Sequence, residues 1–202
     1  MSANWSKGTW ASWSFMTFMA IGVGLYAIAF VFAGGIERVL PAMAYHAPDR
    51  YFWAATHFGV GALVLSIGPF QFVPKIRSHW PMAHRWTGRI YVAGCIASGS
   101  AGLVLATNTN AGPVAQTGFT LLGLFWLTTT SMAFLKARSR DFAAHRRWMI
   151  RSYALTLVAV TLRIYLPASM IGFEQDYLDV YPAISFACWV PKAIIAEWFV
   201  RR

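Results

Sequence analysis

"AHRWTGRIY", Ala83 to Tyr91, and "AHRRWMIRSY", Ala144 to Tyr153, are almost the same basic and aromatic phrase, and each is followed by a long apolar run. A shift of 61 residues places Lys75, Arg77 and Ser78 on Lys136, Arg138 and Ser139, and Ala83, His84 and Arg85 on Ala144, His145 and Arg146. One inserted residue then brings Trp86, Arg89 and Tyr91 onto Trp148, Arg151 and Tyr153. A spacing of about 61 residues is two membrane spans with their loops. Each copy therefore reads as a span, a basic loop and a second span, and the two copies run in the same sense, as parallel repeats do.

Working outward, the chain is 57% hydrophobic and 12% charged, with mean hydropathy +0.49. Soluble domains carry about 25% charged residues, so lipid is the expected solvent. A helix needs about 20 apolar residues to cross a bilayer. Six stretches qualify: 16–34, 51–73, 87–106, 114–135, 148–167 and 182–199. The expected fold is an all-α integral membrane protein of six transmembrane helices in one polytopic domain, 1–202. Its core is a four-helix bundle made of a first hairpin, 51–106, and a second, 114–167, with the first and last spans outside.

The net charge of +10 is not spread evenly. With the N-terminus inside, thirteen of the 17 lysines and arginines fall on the inner side, Arg163 and Lys192 fall within spans, and only Arg38 and Arg50 lie outside. That is the positive-inside pattern. It places both termini in the cytoplasm and the chain in the inner membrane, and it assigns the charge to orientation and anionic lipid headgroups rather than to nucleic acid. Cys95 and Cys188 both sit in spans and give neither a disulfide framework nor a CxxC motif. The Trp- and Ser-rich start, "NWSKGTWASWSF", reads as a short amphipathic helix on the inner leaflet, ahead of an uncleaved first span in which Gly22 and Gly24 allow close packing. Gly94, Ser98 and Gly102 form a small-residue ladder that puts the third span at the bundle centre.

Ionisable groups inside a membrane point to function. His57 lies about 10 Å below the outer surface and Arg163 about 6 Å from the outer end of its span, at 1.5 Å per residue. A buried arginine needs an acceptor, either Glu37, the acids Glu174, Asp176 and Asp179, or an anionic or quinone-type ligand. His84 and His145 occupy matching positions at the inner ends of spans three and five, where two imidazoles can bind a haem iron and the adjacent arginines its propionates. Anchoring at the headgroup level explains the same residues. Lys192 follows Pro191, whose kink frees a carbonyl for its ammonium, and Glu197 pairs with Arg201 four residues on. Gln71 closes the end of the second span. There is no phosphate loop, HExxH or GxSxG motif, so no soluble catalytic chemistry is indicated.

"HFGVGALVLSIGPFQF", "HRWTGRIYVAG" and "HRRWMIRSYALTLVAVTLR" together resemble a large family of bacterial multi-pass membrane proteins of unknown function, over roughly residues 50–165. The HRxxG and HRRWMxR strings carry the resemblance, which implies a polytopic inner-membrane protein and no particular reaction. The chain is also similar, more weakly, to transmembrane b-type cytochromes. Two haems held by two histidines each need four histidines at two depths, whereas this chain offers His84 and His145 inside, His57 outside and His46 in a loop. A single haem b remains compatible.

The leading expectation is therefore a membrane protein that binds haem or quinone through His57, His84, His145 and Arg163 and transfers electrons. One alternative is a small-molecule or ion transporter with His57, Arg163 and Lys192 along its path. The other is a non-catalytic accessory subunit, self-associated or docked on a partner membrane subunit. Whether the chain is an enzyme stays open.

Overall fold

A computed structural model describes residues 5–33 and 51–202. Among the described residues, six helices are long and apolar enough to cross a membrane: α1 (Lys7–Phe32), α2 (Tyr51–Phe72), α4 (Pro81–Ala106), α5 (Gly112–Arg138), α6 (Phe142–Gly172) and α7 (Tyr177–Arg201). A one-and-a-half-turn helix, α3 (Pro74–His79), joins α2 to α4. The expected all-α multi-pass architecture is the one observed. The expected loop residues Glu37, Arg38, His46, Asp49 and Arg50 lie outside the described residues.

Helix α4 packs against α2 on one side and α5 on the other, α5 packs against α6, and α6 returns to α2. These four form the bundle. Helix α7 lies against α5 and α6, and α1 against α2 and the second half of α6. Consecutive spans run antiparallel, so the basic phrases at the starts of α4 and α6 share one end, called here the basic end. The other is the far end.

Small residues set the spacing, as the ladder on α4 predicts. Gly94 meets the Val64 side chain, Ser98 meets His57, and a Cβ on Gly102 would sit 2.8 Å from the His57 ring. Gly24 of α1 abuts Ser66 and the Ala62 carbonyl of α2, whereas Gly22 faces open space, so only one of that pair makes a close contact. Gly68 leaves no room for a Cβ beneath the Tyr153 ring. Each repeated tyrosine thus reaches across the bundle. Tyr153 donates to the Leu65 carbonyl at 3.0 Å, and Tyr91 reaches Ser152 and Thr156 on the diagonal helix α6.

The sequence places several boundaries too tightly. The N-terminal tryptophans do not form a separate surface helix but open α1 itself, behind an N-cap in which Ser6 Oγ accepts from the Thr9 amide. Trp5, Trp10 and Trp13 stack together, and Trp13 Nε1 donates to the Pro69 carbonyl at 3.0 Å, which ties this turn to α2. Helix α6 continues through Pro167 to Gly172. Arg163 therefore sits nine residues, about 14 Å, from the far end rather than about 6 Å.

Candidate functional site

His57 lies in a π-helical turn, Thr56–Val60, within α2. Such turns widen a helix and occur often at functional positions. The His57 Nδ1 is 2.9 Å from the Ser98 carbonyl of α4, and Ser98 Oγ donates back to the His57 carbonyl at 2.9 Å. A carbonyl can only accept, so the proton is on Nδ1 and the lone pair on Nε2. The ring orientation is thereby set, with Gly102 as the floor beneath it.

Arg163 approaches the same half of the membrane from α6. One guanidinium nitrogen, Nη1, donates to the Ala159 carbonyl at 3.1 Å, and the guanidinium stands 5.9 Å from the Tyr26 ring of α1. Its Nε is buried with no partner among the described residues. Helices α1 and α6 thus meet at this guanidinium, in the same half of the membrane as His57 on α2. A buried donor without an acceptor is destabilising by about 1–3 kcal/mol, which a bound acceptor would offset.

Midway along the bundle, α6 and α7 are both interrupted, at Leu157 and at Cys188–Trp189. Each break is capped by the other helix. Lys192 Nζ donates to the Leu157 carbonyl at 2.8 Å, and Thr161 Oγ1 donates to the Cys188 carbonyl at 2.8 Å. The expected acceptor for Lys192 on its own kinked helix is thus corrected. The break precedes Pro191 by two residues, and the ammonium reaches across to α6. Of the residues expected along a transport path, Arg163 lies six residues farther along α6 than the carbonyl that holds Lys192.

At the basic end, His145 Nδ1 bonds the Ala133 carbonyl of α5 at 2.8 Å, which leaves its Nε2 as the lone-pair nitrogen. His84 Nδ1 is buried at the same end, with no partner among the described residues. Ser98, level with His57, is fourteen residues along α4 from His84, about 21 Å. The four expected cofactor residues therefore fall into two groups, His57 with Arg163 and His84 with His145. No cluster of three or more metal-ligating side chains occurs among the described residues. Gln71 does close the end of α2, donating to Thr87 Oγ1 at 2.7 Å. Glu197 bonds Arg201 at 2.6 Å as expected, and also Arg151 of α6 at 2.8 Å.

The repeated phrase has a common geometry. Arg89 lies over the Trp86 ring at 4.8 Å, and Arg151 over the Trp148 ring at 4.6 Å. Sequence reasoning did not reach the hydroxyl chain in the core. Thr130 bonds Ser152 at 2.7 Å, Ser152 bonds Tyr91 at 3.1 Å, and Tyr91 bonds Thr156 at 2.8 Å. Thr156 also accepts from Trp126 Nε1 at 2.9 Å. The available signal was the run Thr128 to Thr130, of which Thr130 joins the chain. Cys95 and Cys188 are buried and unpaired.

These features define a polytopic helical membrane protein with polar groups held inside its bundle. Over residues 54–200 the chain matches the profile of the family described as predicted membrane protein (DUF2306), and it belongs to that family. No curated protein and no solved structure matches it.

Proposed function

We propose that the protein binds a quinone-type molecule from the bilayer at His57 and Arg163. The observation that carries this reading is the buried Nε of Arg163, without a partner among the described residues, in the same half of the membrane as a histidine whose tautomer is fixed. A quinone oxygen is an acceptor for the guanidinium, and a quinol hydroxyl is a donor for the His57 Nε2 lone pair. The aromatic rings of Tyr26, Phe30 and Phe58 beside these groups suit a flat, apolar ring. In the cell the basic end faces the cytoplasm, so that both termini are cytoplasmic and the site opens in the outer half of the inner membrane.

A second reading assigns one haem b to His84 and His145 as an electron-transfer group. The bond from His145 Nδ1 to a backbone carbonyl favours it, because metal-ligating histidines characteristically donate their other nitrogen in this way. Tyr91 and Tyr153 fill the core beyond these residues, so the macrocycle would lie at the basic end, where arginines can meet its propionates.

The test is thermal unfolding of the detergent-purified full chain with and without a short-tail ubiquinone. At one hundred times Kd a ligand specific for the folded state stabilises it by about 2.7 kcal/mol. The wild type should show the upward shift, and Arg163→Gln should lose it. A wild type that does not respond to the quinone would overturn the reading. An absorption spectrum of the same sample, oxidised and then reduced, decides the haem reading by the presence or absence of b-type bands.

A further inference from the structure

The duplicated phrase builds the same arginine–tryptophan pair twice, but the two pairs are satisfied differently. On α6, Arg151 is covered by α7 and bonded to Glu197, with only 22% of its side chain exposed. On α4, the equivalent Arg89 is exposed on a lipid-facing surface beside Trp86, which is 56% exposed. Neither Arg89 nor Arg85 has an acidic partner among the described residues. Arg85 and Arg89 are four residues apart, so they share one face of α4. Like charges at that spacing repel, and an anion shared between them reverses the sign.

The geometry points to a discrete binding site for the phosphate of an anionic phospholipid, formed by Arg85, Trp86 and Arg89 at the basic end of α4. Trp86, Met82 and Trp80 are all exposed there and provide the amphipathic border at which a headgroup and upper acyl chain sit. The chemistry favours a lipid over the carboxylate of another protein helix. The surroundings are basic, since Lys75, Arg77 and His79 of α3 precede the site, and a phosphodiester offers several oxygens where a carboxylate offers two. A second copy of this chain is a poor occupant. Its carboxylates at this end are Glu197, already bonded to two arginines, and Asp141, which caps the start of α6.

The site is tested by native mass spectrometry of the full chain released from detergent after titration with phosphatidylglycerol or phosphatidylcholine. One phosphatidylglycerol per chain should be held in preference to phosphatidylcholine. Arg89→Gln should weaken that binding about fivefold, as removal of one arginine near an anionic surface does. Arg146→Gln removes an equally exposed charge with no ring beside it and should leave the binding unchanged. Equal retention of the two lipids by the wild type would overturn the proposal, as would equal weakening by the two substitutions, which would mean diffuse attraction to the basic end.

Discussion

Replacing Lys192 by methionine should leave stability nearly unchanged, although it removes an intramembrane charge and an interhelical hydrogen bond. Placing a lysine deep in the bilayer is unfavourable by about 2.5–3.5 kcal/mol. A hydrogen bond to a charged donor returns about 1.5–3 kcal/mol. The two terms nearly cancel. The Leu157 carbonyl also accepts the Val160 amide at 3.0 Å, so it is not orphaned when the ammonium goes. Thr161→Val is the opposite case. The Cys188 carbonyl receives Thr161 Oγ1 and no backbone amide, because the α7 ladder opens at the break. Losing that hydroxyl leaves a buried carbonyl unpaired, at about 1–3 kcal/mol. Unfolding in mixed micelles, followed by tryptophan fluorescence, should therefore rank Thr161→Val as the more damaging change and Lys192→Met as within about 1 kcal/mol of wild type. A loss above about 3 kcal/mol for Lys192→Met would refute the reasoning, since losses of that size accompany removal of one partner of a buried ion pair.

Gly102→Ala should displace the His57 ring, breaking its bond to Ser98. It should reduce stability by about 1–3 kcal/mol, the usual effect of overpacking, and remove any quinone-induced thermal shift. Gly68→Ala should be comparably harmful through the Tyr153 ring, and Tyr153→Leu should recover part of the loss, seen as non-additivity in a double-mutant cycle of melting temperatures. Glu197→Gln should destabilise mainly through Arg151, since Arg201 is 77% exposed and such a pair contributes under about 1 kcal/mol. Arg201→Gln should accordingly have less effect than Arg151→Gln in the same unfolding assay. A green fluorescent protein fused after Arg202 should be fluorescent, and alkaline phosphatase at the same point inactive. The reverse pattern would invert the assigned orientation.

Much of the fold is legible in the sequence because the bilayer imposes it. An unpaired backbone is too unfavourable in hydrocarbon, so apolar runs of span length become helices, and the ladder of Gly94, Ser98 and Gly102 shows where α4 meets α2. The helix ends are less legible. Trp10 and Trp13 look interfacial by type, and only the Trp13 bond to Pro69 shows that they continue α1. The common depth of His57 and Arg163, 106 positions apart in the chain, was legible from their places within their spans. Their partners were not, since nothing in the local sequence states that the Ser98 carbonyl holds His57 or that Arg163 turns back onto the Ala159 carbonyl. The capped breaks were hidden for a different reason. Pro191 announces an irregular turn, but a freed carbonyl has no sequence signature, and its partner Thr161 looks like any small polar residue in a span.

The similarity between the two basic phrases explains the scaffold, while the departures from it account for the polar sites. Gly118 stands where alignment of the phrases places the counterpart of His57, and it is packed beneath Ser185 of α7. A histidine there would collide with the last helix. The equivalent position on α2 holds an imidazole because its neighbour across the interface is Gly102, not another helix pressed from outside. The same helix accounts for the basic end, where Glu197 occupies Arg151 and no acidic side chain among the described residues pairs with Arg89. Helix α7 thus packs on the second hairpin at both depths, whereas the first is covered by α1 near His57 and leaves Arg89 exposed at the basic end. That asymmetry leaves the proposed lipid site on the first hairpin alone, whereas the proposed quinone site draws His57 from the first hairpin and Arg163 from the second.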